Sequence, residues 1–208
     1  MPESPQPVPL ELNRPKLLIG EGRDEVFVFG ALLKFLGIDD VSVEEYGGKF
    51  KLPDYLDALR LRPGFIKLTS IGVTRDADLN AADAFRSVSG HLEKRHFATP
   101  EKCGIVAEGM PRVGVIIFPD GVAAGTLEDL FLFALQPDNL LFQCIDDYFE
   151  CIRVAKNGLP KQISKARLHA WLASQDPPDM RLGIAAQRNL IDWNAPPFSQ
   201  LVGFLKAL

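Results

Sequence analysis

Leu17-Leu18-Ile19-Gly20-Glu21-Gly22-Arg23-Asp24-Glu25 decides the fold class of this chain. The apolar run reads as a buried parallel strand, the glycines as a turn, and the acids as the first turn of a helix. Val28, Phe29, Leu32 and Leu33 continue that helix, and Gly37 supplies its end. The arrangement recurs twice. Ile71-Gly72-Val73-Thr74 runs into Arg75-Asp76-Ala77-Asp78, and Val115-Ile116-Ile117-Phe118 runs into Pro119-Asp120 and then Gly125-Thr126-Leu127-Glu128-Asp129. In an open α/β sheet the carboxyl ends of the strands form the ligand crevice, and right-handed crossovers bring those ends to one edge. Carboxylates gathered there repel one another unless a cation lies between them. Oxygen-only donor sets suit Mg²⁺ or Mn²⁺, ions that mostly serve phosphate chemistry.

The remaining pattern extends this reading. Strands are expected over residues 16–20, 41–46, 65–74 and 113–118, with helices over 24–36, 53–61, 81–97 and 126–135. A loop with room for a short strand covers 98–111, where Pro100, Gly104, Gly109 and Pro111 fall. Further helices are expected over 139–155, 163–174, 182–190 and 198–208, with Pro177-Pro178 ending the second of these. Strand and helix alternate, so the fold class is α/β: a mainly parallel central sheet of about four strands flanked by helices. The expected domains are a Pro-rich flexible arm over 1–15, a metal-binding core over 16–135 and a helical C-terminal extension over 136–208.

Composition narrows the function classes. The 208 residues are 47% hydrophobic, enough for a real core, and no apolar run approaches the roughly 20 residues that cross a bilayer. The N-terminus carries no charged-then-apolar leader, so a cytoplasmic protein is expected, with no membrane partner. The net charge of −4 gives no global attraction to nucleic acid and leaves any such contact to local patches. Cys103, Cys144 and Cys151 form no C-x-x-C pair and read as buried free thiols. His91 and His96 lack metal-ligand spacing and read as structural or surface residues. No G-x-S-x-G elbow supports a serine hydrolase, and Tyr46, Tyr55 and Tyr148 lack the surroundings of a topoisomerase nucleophile.

Each acid also has a plain structural reading. Asp24 and Glu25 suit the positive end of a helix dipole. Asp76-Ala77-Asp78 fits a turn, although strand alternation would put both carboxylates on one side. Glu128 fits a first helical turn, and Asp120 in Pro119-Asp120-Gly121 a β-turn.

The combination is more specific than its parts. E-G-x-x-[DE] at Glu21–Glu25, then D-x-D at Asp76–Asp78 about fifty residues later, each after an apolar strand, resembles the Toprim superfamily. With Gly125-Thr126-Leu127-Glu128 added, the layout is similar to small single-domain prokaryotic Toprim proteins related to the OLD-type nucleases. The resemblance covers 16–135 by motif and extends to the C-terminus by helix pattern alone. It implies a Toprim-like, Rossmann-like sheet. It also implies that Glu21 is a metal ligand or general acid/base, that Glu25, Asp76 and Asp78 are metal ligands, and that Glu128 serves a second ion. Two departures stand out. Gly20 occupies a position where many relatives carry a bulky strand residue. The chain also has no G-x-x-x-x-G-K-[ST] sequence, so an energy-coupled partner ATPase would act in trans.

Between Cys151 and Gln175 lie Arg153, Lys156, Lys161, Lys165 and Arg167 and no acid. Lys161, Lys165 and His169 recur every four residues, a cationic stripe if one helix runs through them. Lys161, Lys165 and Arg167 are candidate nucleic-acid contacts, and a solvated helix face is the alternative. Lys165 resembles a lysine that the nuclease branch brings near its metals, which makes it the second candidate catalytic residue beside Glu21. The function expected is divalent-metal-dependent phosphodiester hydrolysis of DNA or RNA with two ions of Mg²⁺ or Mn²⁺, within a defence or nucleic-acid-processing system. The alternative is a non-catalytic module that binds a metal, a nucleotide or a partner protein. A receiver-like phosphoacceptor would need a lysine after a late strand, where Pro119-Asp120 stands.

Overall fold

The computed structural model describes residues 11–135 and 140–208. Its sheet begins with β1 (Lys16–Gly20) and continues through β2 (Val41–Glu45), β3 (Ser70–Asp76), β4 (Val106–Ala107) and β5 (Arg112–Phe118). The strand order is β2-β1-β3-β5-β4, with every pairing parallel except that of β4 with β5. Among the described residues the sheet therefore has five strands, one more than expected, and the extra one is the short antiparallel edge inside the 98–111 loop. From β1 the chain steps outward to β2 and then returns to the far side of β1 to lay down β3. Such a reversal opens a crevice between the carboxyl ends of the two strands.

Alternation along β1 shows why this run forms a central strand. Leu17 and Ile19 enter the apolar cluster on one face of the sheet and Leu18 the cluster on the other, all without solvent exposure. Full burial of such side chains is worth roughly 1.5–3 kcal/mol each. On the face of Leu17 lie α2 (Leu52–Arg60) and α3 (Ala81–Glu93). The opposite face is covered by α1 (Arg23–Leu36) and by the helices that follow β5: α4 (Leu127–Leu135), α5 (Leu140–Lys156), α6 (Ile163–Ala173), α7 (Leu182–Gln187) and α8 (Ser199–Ala207). Residues of α5 to α8 thus share one core with α1 and β5.

Two paired glycines seat the last helix. Gly72 of β3 lies beside Gly114 of β5 in register. A Cβ on Gly114 would stand 2.6 Å from the ring of Phe204, and one on Gly72 would stand 3.0 Å from Leu208. The missing side chains leave a trough in the sheet into which α8 sinks. Arg112 donates to the Leu208 carbonyl oxygen at 2.6 Å, and the Ser70 hydroxyl donates to the same oxygen.

The sequence reading needs three corrections in the fold. Residues 65–69 are not strand: Gly64 has φ +89° and starts a 3₁₀ turn over Phe65–Lys67, so β3 begins only at Ser70. Phe65 instead packs edge-on against Phe97 at 6.1 Å. Cys144 and Cys151 are exposed on α5 rather than buried, while half-buried Cys103 accepts the Ile117 N–H at 3.2 Å. The inner end of the expected arm is held in place: Leu12 is buried and its N–H donates to Pro63 O at 3.0 Å. The rest of that arm, residues 1–10, lies outside the described residues, as does Asn139 at the expected start of α5. Among the described residues no helix is long and apolar enough to cross a membrane.

Candidate metal centre at the carboxyl edge of the sheet

Gly20 ends β1, and Gly22, extended at φ −142°, caps α1. The strand-to-helix turn holds Glu21 at its apex and Glu25 one helical turn on. Gly20 is needed here for space. A Cβ at this position would stand 2.4 Å from Glu25 Oε2 and 2.9 Å from Glu25 Cβ. The Glu25 carboxylate folds back over the strand end, where Glu21 N donates to its Oε2 at 2.9 Å and Thr74 Oγ1 donates to the same oxygen at 2.6 Å. Glu25 is only 6% exposed.

Asp76 closes β3 beside this pair. Its Oδ1 accepts the N–H of Leu127, the first residue of α4, at 2.8 Å. Glu128 is the next residue of α4. Glu21, Glu25, Asp76 and Glu128 therefore line one cavity of about 550 Å³. Asp129 serves another purpose. Its Oδ2 accepts the Thr126 N–H at 2.8 Å, and its Oδ1 accepts from the Ser164 hydroxyl of α6. That link fixes the start of α6 against α4. The neighbouring Lys165 reaches 3.7 Å from Glu128 Oε1.

Asp78 does not join the four. The chain bends at Asp78 with φ +52° and bridges to Gly125, so the strand alternation that would align it with Asp76 is lost. Its carboxylate pairs with Lys49 Nζ at 2.9 Å. Lys49 follows Gly47 and Gly48, which take φ +84° and +103°, and its own N–H donates to Glu21 Oε1 at 3.2 Å. Asp120 turns its carboxylate onto the N–H groups of Val122 and Ala123, as a turn residue does.

The basic stripe is only partly assembled. α6 starts at Ile163, so Lys161 precedes it, and no helix runs through Lys161, Lys165 and His169 together. Lys165 and His169 line the cavity, but Arg167 turns away to Asp146 and Arg153 pairs with Glu150. Two further cations reach the cavity that the sequence did not single out. Arg23 comes from the E-G-x-x-E turn itself, and Arg181 from the start of α7. Gly183 allows the second approach: a Cβ there would stand 2.3 Å from Phe27 Cβ, so α7 can lie directly on α1. The only local signal for Arg181 is that glycine two residues later.

Electrostatics follow from this geometry. Burial lifts the Glu25 carboxyl to about 7, helped by the charges of Glu21 and Glu128 and opposed by its two hydrogen bonds. Burial lifts Asp76 to about 8, with the charge of Glu25 adding most after it. Glu21 is also raised by burial, against the opposing influence of Arg75 and Lys49. Oxygen donors of this kind suit Mg²⁺ or Mn²⁺. Among the described residues, however, no three His, Cys, Asp or Glu side chains form a ready-made ligand set, so the expected ligands Glu21, Glu25, Asp76, Asp78 and Glu128 are not preassembled as one. Such an arrangement still fits Mg²⁺, which keeps several waters and usually takes one or two carboxylates plus substrate phosphate rather than an all-protein cage.

Comparison with known proteins adds a family. The family described as "Protein of unknown function (DUF3226)" matches residues 15–208. Among solved structures, the C-terminal region of the Xanthomonas campestris pv. campestris OLD protein aligns at 14% identity and a TM-score of 0.37, covering 95% of this chain and 87% of that one. The C-terminal region of the Burkholderia pseudomallei OLD protein aligns at 16% identity and a TM-score of 0.38, covering 93% and 89%. A search of curated proteins finds no match.

Proposed function

Given that this chain belongs to the DUF3226 family, we propose that it is a divalent-metal-dependent phosphodiesterase of Toprim type acting on nucleic acid. One observation carries the proposal: Glu21, Glu25, Asp76 and Glu128 line a single crevice at the strand ends, and two of them are strongly resistant to ionisation without a counter-ion. The Glu21–Glu25 and Asp76–Asp78 motifs, which resemble those of the superfamily, support the same reading.

A bound Mg²⁺ or Mn²⁺ would lower the pKa of water and offset charge on the phosphate. Asp76 and Glu21 are the residues proposed to hold the first ion, with Asp78 reaching it once released from Lys49. Glu25 and Glu128 would hold a second ion or orient water. Lys165, 3.7 Å from Glu128, can move from that carboxylate to a phosphate oxygen once substrate enters. Arg23 and Arg181 offer further charge for the backbone, so the crevice has acids within and cations among its lining.

The lack of a preassembled ligand set among the described residues favours a second reading, a regulatory module that binds a metal nucleotide without cutting. Cleavage assays on labelled single- and double-stranded DNA and RNA, with Mg²⁺, Mn²⁺ or EDTA, separate the two. Wild type should cut only with metal, and Asp76→Asn should lose roughly a thousandfold or more in rate while remaining folded. Metal-induced thermal stabilisation without cleavage would favour the regulatory module. Absence of both would overturn the shared metal centre.

A further inference from the structure

Helix α6 serves two cavities. Lys165, Leu168, His169 and Leu172 line the acidic crevice. Ala166 and Ala170, one helical turn apart, line a second cavity of about 740 Å³ between α6 and α5, and His169 belongs to both. The α5 wall of this groove carries Tyr148, Ile152 and Lys156 at intervals of four, with Phe149 beside them, and Gly158-Leu159-Pro160 also lines it. The small alanines leave width opposite the aromatic wall. Tyr148 is 57% exposed and its ring meets Phe149 edge-on at 5.1 Å. Among the described residues no carboxylate lines the groove, in contrast to the crevice alongside. Its volume lies within the roughly 300–1,000 Å³ of small-molecule sites.

We propose that this groove binds an unstacked base of single-stranded nucleic acid, one whose neighbouring phosphate lies in the acidic crevice; the assignment rests on the phosphodiesterase reading and names its substrate class. Three features argue for this occupant. An exposed tyrosine over an apolar floor offers a face on which any base can stack. Lys156 supplies positive charge for the adjoining backbone, with no acid among the described residues that line the groove. Continuity through His169 puts both cavities along one path, so a strand can occupy them together. A base in a duplex is stacked on both sides and cannot enter a side groove without first leaving the helix.

The test is fluorescence anisotropy with labelled oligo(dT) and oligo(U), their matched duplexes, and an oligo(dT) carrying abasic sites, in EDTA and again in Ca²⁺. Wild type should prefer the single strand over the duplex by tenfold or more. Tyr148→Ala should weaken single-strand binding about fivefold or more yet leave the abasic strand unaffected, since stacking is then already absent. Lys156→Glu, at an exposed position, should weaken all strands alike. Tyr148→Ala binding base-bearing and abasic strands with unchanged ratio would overturn the proposal, as would preference for duplex or failure to bind any strand in either condition. A dimer in sedimentation that Tyr148→Ala dissociates would assign the groove to a second copy and likewise overturn it. Binding is read without turnover. A base-dependent effect of Tyr148→Ala with no cleavage by wild type would therefore sink the catalytic reading alone, and cleavage unaffected by base or Tyr148 would sink the groove alone.

Discussion

At the scale of single residues, the crevice depends on one missing side chain. Gly20→Ala would drive a methyl group to 2.4 Å from Glu25 Oε2 and 2.9 Å from its Cβ. The carboxylate end can swing away, but the Cβ is fixed by α1. We expect Gly20→Ala to cost about 1–3 kcal/mol in urea unfolding, with part of it recovered in the double variant Gly20→Ala/Glu25→Ala. The same carboxylate governs a pH response. Glu25 and Asp76 titrate near 7 and 8 in the folded protein, against ordinary values of 4.5 and 3.8. Between those limits the unfolded chain has released protons that the folded chain still holds, so the folded state loses ground as pH rises. The contribution of these two groups to stability is fully present below about pH 4 and is lost through about pH 8 in metal-free buffer. Glu25→Gln keeps an acceptor for Glu21 N and Thr74 and removes the charge. In EDTA at the upper end of that range it should melt higher than wild type, by on the order of 2–3 kcal/mol. Calorimetry across the pH range reads this directly, and an unchanged slope would remove Glu25 from the account.

At the scale of elements, the glycine trough under α8 is the most exposed to test. A Cβ on Gly114 would meet the Phe204 ring at 2.6 Å. Gly114→Ala is expected to lower stability by about 1–3 kcal/mol, and Phe204→Leu in that background to restore a part of it by opening the space. The elements themselves differ in how far sequence reveals them. Strand β1 was legible because three apolar residues alternate between two cores, and α1 because glycine ends it at φ +68°. The start of β3 was not, because Phe65 and Ile66 look like strand residues while Gly64 at φ +89° has already turned the chain. The gathering of Glu21, Glu25, Asp76 and Glu128 followed from acids after parallel strands, a local pattern. The departure of Asp78 depended on a single backbone angle of +52°, and Arg181 on how α7 docks over Phe27. Neither leaves a trace in hydrophobic periodicity.

At the scale of the whole molecule, the net charge of −4 and the pairing of Arg153 and Arg167 with acids limit the electrostatic pull on a nucleic-acid backbone. With roughly three phosphate contacts at about 0.7 released counterions each, single-strand affinity should fall with a log–log salt slope of about −2. A slope several times steeper would point to a basic surface elsewhere. The bonds from Ser70 and Arg112 to Leu208 close very long loops, 138 and 96 residues apart, so they tie the last residue of the chain to the middle of the sheet. Among the described residues every carboxylate that lines the crevice lies at or before Glu128, whereas Lys165, His169 and Arg181 come after it. Lys165 and Arg181 thus come from α6 and the start of α7, after the strands that carry the acids. A chain cut before Lys165 would therefore keep the acids of the crevice and lose two of the cations that line it, Lys165 and Arg181.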